Sequence, residues 1–330
     1  MKKIRIGVLG LANIATRSII PTIKKLPNLY NFVGIASRDY KKGKKLSEIL
    51  NCFVFSDYDD LLVNGDLDAV YIPLPNSLHF KWAKLALKQN IHVLVEKPLA
   101  VSLLEVQQLT NIARKKKLIL FETFQFRFHN QLIKIKDLLE KESIGEIRNL
   151  RATFCFPPLP NIENIRYQKD LNGGCLLDAG AYTVKISQIL LGNNLEVVGS
   201  SLTIPEGKDV EIWGSAMLQN ERKDITSFLH FGFDNFYKCG IEILGSKGEI
   251  YTNRLFTAPN DYEALIYLKN NSSSVELKVD KDDHFVKMLK YFYKLATEKK
   301  YLEKEYIDNL DQARIMDTIK KKSGLLMIKN

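Results

Sequence analysis

Short apolar runs alternate with amphipathic helical patterns through the first 125 residues, and this alternation limits the fold more than any other feature. The runs are nearly continuous in apolar residues, as in strands buried on both faces of a parallel sheet. Helical patterns near 14–26, 40–50, 77–89 and 103–116 supply the right-handed crossovers, so we predict a doubly wound α/β domain. The predicted strands are Ile4–Leu9, Phe32–Ala36, Phe53–Phe55, Ala69–Ile72, His92–Val95 and Leu118–Phe121.

The pattern changes after residue 145, where side-chain character alternates as in strands with one exposed face. A length of 330 residues suits two domains. We predict residues 1–124 as the first and residues 125–330 as the second, built on a mixed or antiparallel sheet. A helix near 303–322 could pack back on the first domain. The predicted strands of the second domain include Ile147–Phe156, Val210–Leu218, Thr226–Phe233 and Lys238–Leu244.

The chain carries 48 Lys and Arg against 38 Asp and Glu, a formal charge of +10. Its lysine clusters lie on or beside predicted amphipathic helices without interleaved aromatic residues, so we expect solvated helix faces and no nucleic-acid or membrane partner. The positive electrostatic field of the chain suits anionic ligands instead. The clusters are Lys41, Lys42, Lys44 and Lys45, then Lys115 to Lys117, then Lys320 to Lys322.

Four widely spaced cysteines without a C-x-x-C pair predict a reduced, metal-free protein. Arg5 and Arg17 interrupt the apolar N-terminal stretch, so it does not resemble a signal peptide. No stretch approaches the roughly 20 apolar residues that cross a bilayer. We therefore predict a cytoplasmic protein.

Polar and turn-forming residues follow the predicted parallel strands, which places them at the carboxyl edge where open α/β sheets bind ligands. Gly10-x-Ala12-x-x-Ala15 departs from the dinucleotide pattern G-x-G-x-x-G, yet Gly10 permits the turn and the next helix can face a pyrophosphate. We expect the following residues to line a bound dinucleotide: Gly10, Ala12, Asn13, Ile14, Ser37, Arg38, Pro73, Leu74, Asn76, His79, Glu96 and Lys97. For His79, a purely structural role is an equal alternative.

The residues after the second strand discriminate between the two nicotinamide dinucleotides. An acid there would accept from the ribose 2′-hydroxyl of NAD, whereas Ser37-Arg38 offers a hydroxyl and a guanidinium suited to a 2′-phosphate. Asp39, the next residue, is compatible with either coenzyme, and the alternative for Arg38 is a surface residue at a helix start. We predict NADP in preference to NAD.

Glu96-Lys97-Pro98 follows the fifth strand, and proline keeps the preceding lysine out of a helical conformation. Lys97 is thereby directed into the crevice as an acid or hydrogen-bond donor toward a carbonyl. In the later stretch Gly173-Gly174…Asp178-x-Gly180-x-Tyr182, the spacing predicts a helix ended by Gly192, with Asp178 and Tyr182 on one face. Gly180 suggests a close approach to the backbone.

These motifs together resemble the Gfo/Idh/MocA oxidoreductase family over nearly the whole chain. The resemblance implies an N-terminal Rossmann domain, a C-terminal α+β domain with an open, largely antiparallel sheet, and a homo-oligomer, dimer or tetramer. It implies that Lys97, Asp178 and Tyr182 form the catalytic set, with Tyr182 as proton donor. Arg166, in a segment like that of nucleotide-sugar ketoreductases, is the implied substrate contact.

The predicted function is hydride transfer between NADP or NAD and a sugar carbonyl or hydroxyl, with a nucleotide-sugar ketoreductase favoured. The alternative within the enzyme class is a free-sugar, polyol or dihydrodiol dehydrogenase. A catalytically silent nicotinamide- or sugar-sensing regulator is a second alternative. Retention of Lys97, Asp178 and Tyr182 favours an enzyme, because a sensor does not need the proton donor.

Overall fold

The computed structural model describes residues 2–324 and 326–328, which form two compact units. The first unit runs to Thr123 and also contains Phe285–Leu310; the second contains Phe124–His284 and the chain from Asp311 on. The sequence prediction placed 125–330 in one domain, whereas the structure assigns a stretch within that range to the first unit.

The first unit is built on six parallel strands: β1 (Ile4–Leu9), β2 (Tyr30–Ala36), β3 (Phe53–Phe55), β4 (Ala69–Ile72), β5 (His92–Glu96) and β6 (Leu120–Thr123). Their order is β3-β2-β1-β4-β5-β6. This is the doubly wound order, with its switch point between β1 and β4, so the predicted fold class is confirmed. The helices of this unit are α1 (Ile20–Lys24, preceded by a π-helical turn at Ala15–Ile19), α2 (Tyr40–Leu50), α3 (Tyr58–Asn64), α4 (Asn76–Lys88) and α5 (Leu103–Lys116).

Side-chain caps begin three of these helices. Asp39 and Asp57 cap α2 and α3 by accepting backbone N–H groups. At α5 the cap is reciprocal: Ser102 accepts from the Glu105 N–H, and the Glu105 carboxylate accepts from the Val101 N–H. These caps fix where each helix leaves the ligand-facing edge of the sheet.

The second unit is built on a nine-stranded sheet in the order β14-β13-β12-β11-β7-β10-β9-β8-β15. Within the described part of this sheet, only β7 with β10 and β8 with β15 pair in parallel, so the expectation of a largely antiparallel sheet is confirmed. Its helices are α6 (Asn130–Glu140) and α7 (Ala181–Leu191), while nearly all of α8 (His284–Glu298) and the first half of α9 (Leu302–Lys322) fall in the stretch assigned to the first unit. The strands are β7 (Ile147–Cys155), β8 (Glu196–Pro205), β9 (Trp213–Gln219), β10 (Thr226–Gly232), β11 (Lys238–Gly245), β12 (Gly248–Thr252), β13 (Ala264–Asn270), β14 (Ser274–Val279) and β15 (Leu326–Ile328).

One face of this sheet carries the core and the other is open. Alternate residues of β9 and β10 are buried, while Phe228 on β10 keeps 45% of its surface exposed. Helix α7 packs on β7 and β10, and it ends at Gly192, as the sequence predicted. Gly192 adopts a φ of +90°, which glycine tolerates best. None of the described helices is long and apolar enough to cross a membrane.

Candidate active site

The turn after β1 leaves room that only glycine provides. Gly10 has a φ of +107°, and a Cβ there would lie 2.6 Å from Cδ2 of Leu74. The helical turn after it starts at Ala12, whose carbonyl accepts the N–H groups of Ala15 and Thr16. A helix start at the switch point presents backbone N–H groups to an anion, so this edge fits a pyrophosphate.

Two residues after β2 have different roles: Asp39 caps a helix, and Arg38 presents an exposed cation. The Asp39 carboxylate accepts the Lys42 N–H at 3.0 Å, and the Asp39 N–H donates to Ser37 Oγ at 3.2 Å. Asp39 is therefore occupied as the cap of α2. Arg38 is exposed, and both its backbone and its side chain hydrogen-bond to Tyr58, whose pKa is raised by burial. The group placed for a ribose or its phosphate is thus the Arg38 guanidinium.

The turn after β4 places buried Pro73 and Leu74 and half-buried Asn76 at the same edge, where α4 begins. His79, in the first turns of α4, is fully buried. Its Nδ1 lies 2.7 Å from the carbonyl of Pro98, and its Nε2 lies 2.7 Å from the carbonyl of Leu74. Both ring nitrogens are therefore used inside the protein. These contacts favour the structural alternative for His79, and its contact with the cofactor stays a prediction.

Lys97 lies just beyond β5 and is half-buried. Two acids anchor the chain around it: the Tyr71 hydroxyl donates to Oε1 of half-buried Glu96 at 2.6 Å, and the Leu99 N–H donates to Oε1 of buried Glu122 at 2.9 Å. Burial raises the pKa of Glu96. The Lys97-Pro98 peptide bond is cis. The Glu96 side chain is bound to Tyr71 at the strand end, and its contact with the cofactor stays a prediction.

In the second unit, the Nε of Arg166 lies 2.6 Å from Asp178 Oδ2. The charge of Asp178 raises the pKa of Arg166, which keeps the guanidinium cationic. The Gly174 N–H donates to the Arg166 carbonyl at 2.8 Å, and a Cβ at Gly173 would lie 2.4 Å from the same oxygen. The glycine pair therefore closes the loop that holds Arg166.

Asp178 lies in a π-helical turn, Leu176–Gly180, that precedes α7. The sequence predicted one continuous helix with Asp178 and Tyr182 on one face. The π-turn breaks that regularity, and the Asp178 carboxylate pairs with Arg166. Gly180 does allow a close approach, because an ideal Cβ would lie 3.3 Å from the Phe231 ring.

Tyr182 stands at the start of α7 with 7% of its surface exposed. Four aromatic rings surround its ring, with centroids 5.2–5.8 Å away: Phe124, Phe126, Phe154 and Phe256. Two of these contacts are edge-to-face, a favourable geometry. The ring is thereby fixed, and the hydroxyl is the polar end of an otherwise apolar cluster.

Sequence reasoning missed several residues that support the site. Lys185, one helical turn after Tyr182, is 3% exposed, and its Nζ lies 5.2 Å from the Phe124 ring centroid. Tyr58 and Tyr71 hold Arg38 and Glu96. A buried lysine in an apolar helix was a visible signal; the tyrosine contacts depend on side chains from separate strands and helices. The described residues contain no group of three or more His, Cys, Asp or Glu able to hold a metal.

Two family models match the chain. The model described as "Oxidoreductase family, NAD-binding Rossmann fold" covers residues 4–124, and the model described as "GFO/IDH/MocA C-terminal domain" covers residues 132–251. The dTDP-3,4-didehydro-2,6-dideoxy-alpha-D-glucose 3-reductase of Actinomadura kijaniata is 35% identical over 317 residues, which are 96% of this chain and 95% of that protein.

The fold is also shared with a solved 3-ketoreductase, KijD10 from Actinomadura kijaniata, in complex with NADP and TDP-benzene. The TM-score is 0.94 at 34% identity, over 99% of this chain and 100% of that one. A KijD10 variant with one tyrosine replaced by phenylalanine, also solved with TDP-benzene and NADP, gives the same TM-score, identity and coverage.

Proposed function

Because this chain belongs to the Gfo/Idh/MocA family of oxidoreductases, we propose that it reduces a ketone on a nucleotide-linked sugar with NADPH. The observation that carries the proposal is Tyr182, a phenol whose ring is enclosed by four aromatic residues at the start of α7. A regulator that only senses a sugar has no use for a fixed proton donor. The full-length match to a 3-ketoreductase supports the substrate class.

The first unit fits a dinucleotide. Gly10 keeps the turn after β1 free of a side chain, and Asp39 Oδ1 accepts the Lys42 N–H as the cap of α2. The exposed Arg38 offers the fork that suits a phosphate monoester. These features favour NADP over NAD. The chemistry supplied by bound NADPH is hydride donation to the carbonyl carbon.

The chain's own residues supply the proton and the charge. Tyr182 donates its hydroxyl proton to the carbonyl oxygen as that oxygen becomes an alkoxide. For Lys97 we propose the role that the family resemblance implies, an ammonium that stabilises the negative charge developing on the substrate. Asp178 contributes to substrate binding, because its carboxylate holds the guanidinium of Arg166 in place.

Arg166 is the proposed contact for an anionic part of the substrate. It is a cation with 36% of its side chain exposed, and its Nε is engaged by Asp178. A guanidinium pairs well with the diphosphate of a nucleotide sugar. The net charge of +10 supports the same class of ligand.

The test is a screen of candidate substrates in which the loss of NADPH absorbance measures turnover. We expect turnover with dTDP-linked keto-sugars and none with simple diols or free sugars. Turnover confined to free sugars, polyols or dihydrodiols would replace the proposal with a dehydrogenase of that kind. Tight NADPH binding without turnover of any of these compounds would indicate the sensing regulator.

We further propose a cytoplasmic homo-oligomer, a dimer or tetramer, joined through the open face of the nine-stranded sheet. That face has an open groove of about 480 Å³ whose lining includes Arg151, Met217 and Phe228. Exposed apolar groups of this kind favour association. Light scattering on the purified protein, with Phe228→Glu as the disrupting variant, tests the proposal; a monomeric wild type would end it.

A further inference from the structure

His79 differs from the other histidines in what faces its ring. It is fully buried, and each ring nitrogen lies 2.7 Å from a backbone carbonyl, Nδ1 from Pro98 and Nε2 from Leu74. A carbonyl oxygen only accepts hydrogen bonds. Both nitrogens of His79 must therefore carry a proton if both contacts are hydrogen bonds.

Two other histidines show the usual arrangement. Nδ1 of His92 accepts the Ile119 N–H at 3.0 Å, and Nδ1 of His129 accepts the Gln131 N–H at 3.0 Å. Each of these rings thus keeps a bare nitrogen as an acceptor, which a neutral imidazole possesses. In His79 the bare nitrogen of a neutral ring would face a carbonyl lone pair at 2.7 Å, which is repulsive.

Opposing effects act on the charge of His79. Burial lowers its pKa, Lys97 acts in the same direction, and the two carbonyl hydrogen bonds raise it. The geometry decides between them: distances of 2.7 Å are typical of charge-assisted N–H···O bonds, and a neutral ring would leave one buried carbonyl facing a lone pair. The titratable groups on the surrounding elements at this end of the sheet are Tyr71 of β4, Glu96 of β5, Lys97 directly after it, Glu105 of α5 and Glu122 of β6.

We propose that His79 is held as an imidazolium that bridges the turn after β4 to the turn after β5, and that this bridge positions Lys97. Pro98, whose carbonyl it binds, directly follows Lys97, and the Leu99 N–H is anchored to Glu122. Leu74, the other end of the bridge, lies against Gly10 in the predicted dinucleotide edge. His79 is thus a positioning residue with no nitrogen left for a ligand.

The protonation state is tested without substrate or cofactor. Two-bond ¹H–¹⁵N correlation spectra of the protein labelled at histidine distinguish a ring with two N–H groups from one with a bare nitrogen. Between about pH 6 and pH 9, we expect His79 to keep both protons, while His92 and His129 each show a bare nitrogen at neutral pH. A bare nitrogen on His79 at neutral pH would overturn the proposal.

The His79 signals are assigned by their loss in His79→Asn. If that variant does not fold, single His→Gln variants at the other four histidines assign His79 by elimination. Because this measurement uses the free protein, it decides the charge of His79 even if the proposed ketoreductase activity fails.

The positioning role rests on the proposed function and needs a second measurement. We expect His79→Asn to lower kcat about tenfold in the wild type but less than about twofold in a Lys97→Ala background, since residues that act through one another are not additive. The same fold-loss in both backgrounds would show that His79 does not act through Lys97. His92→Gln, at the opposite end of β5 from Lys97, is the control in the same unit and should leave kcat unchanged in both.

Discussion

The guanidinium of Arg166 and the carboxylate of Asp178 form a 2.6 Å ion pair across twelve residues of sequence. Asp178 is only 15% exposed at its side chain, so the pair is well shielded on the acid's side. The family resemblance implies that Asp178 belongs to the catalytic set with Lys97 and Tyr182. The structure shows Asp178 paired with the guanidinium of Arg166, in the loop that precedes α7.

Replacing Arg166 with glutamine should weaken substrate binding more than chemistry. A hydrogen bond to a charged group contributes roughly 1.5–3 kcal/mol, so we expect KM for the nucleotide sugar to rise about 10- to 100-fold. Asp178→Asn should raise KM less, because the guanidinium remains but is no longer held. Steady-state kinetics separates the two effects. Arg222→Gln, at an exposed arginine paired with Asp224, is the control and should match the wild type. An unchanged KM in Arg166→Gln would remove its assignment.

The coenzyme preference should depend on Arg38 and, more weakly, on Tyr58. We expect Arg38→Ser to weaken NADPH binding about 10- to 100-fold, because the 2′-phosphate loses its guanidinium partner. NADH binding should stay the same, because NADH has no 2′-phosphate. Tyr58→Phe removes a hydrogen-bond partner of Arg38 and should shift the preference by roughly threefold. Titration calorimetry with both coenzymes checks this, with Lys41→Ser as an exposed control. Equal binding of both coenzymes to the wild type would contradict the account of Arg38.

The stability of the protein should fall in acid because of His92. Burial lowers the pKa of His92 from 6.5 to about 4. Between these pH values the unfolded chain binds a proton that the folded chain does not, so the stabilising contribution is complete above pH 6.5 and is lost as the pH falls toward 4. Protonation of Nδ1 would also remove the acceptor for the Ile119 N–H.

Denaturant unfolding across this range measures the effect. We expect the wild type to lose about 3 kcal/mol more unfolding free energy than His92→Gln over the window. Parallel pH dependences for the two proteins would show that His92 titrates normally in the folded state.

The loop that holds Arg166 should not tolerate a side chain at Gly173. A Cβ there would lie 2.4 Å from the Arg166 carbonyl and 2.7 Å from the Ile165 carbonyl, both backbone atoms. Overpacking of this kind costs about 1–3 kcal/mol, so Gly173→Ala should unfold at lower denaturant and raise KM. Gly199→Ala is the matched control, because nothing lies within 4 Å of its added Cβ. If both variants are equally stable, the close packing of the loop is not required.

The sequence predicted most of the first sheet because its strands are buried on both faces. Continuous apolar runs gave the bounds of β1, β3 and β4 as the structure has them. β6 lies two residues further on than predicted, at Leu120–Thr123, because it buries Glu122 and Thr123. A polar strand end that is stabilised by tertiary hydrogen bonds carries no hydrophobic signal. Helix α3 was missed for a related reason, since acidic residues fill its first turn.

The second unit was less predictable from local pattern. β8 was missed because Gly199, Ser200 and Ser201 interrupt its apolar alternation. The rings around Tyr182 come from separate parts of the chain, Phe154 from β7 and Phe256 from the segment after β12, and no spacing rule joins them. The sequence indicated that Tyr182 is reactive, but not what holds it.

The most direct test of the proposed chemistry is the turnover of Tyr182→Phe, which removes only the hydroxyl from the aromatic cluster. With a nucleotide-linked keto-sugar, we expect kcat to fall about 10²- to 10⁴-fold, the range for losing a general acid, with NADPH affinity nearly unchanged. Lys97→Ala should behave in the same way. Turnover close to that of the wild type in Tyr182→Phe, with NADPH bound, would contradict the account.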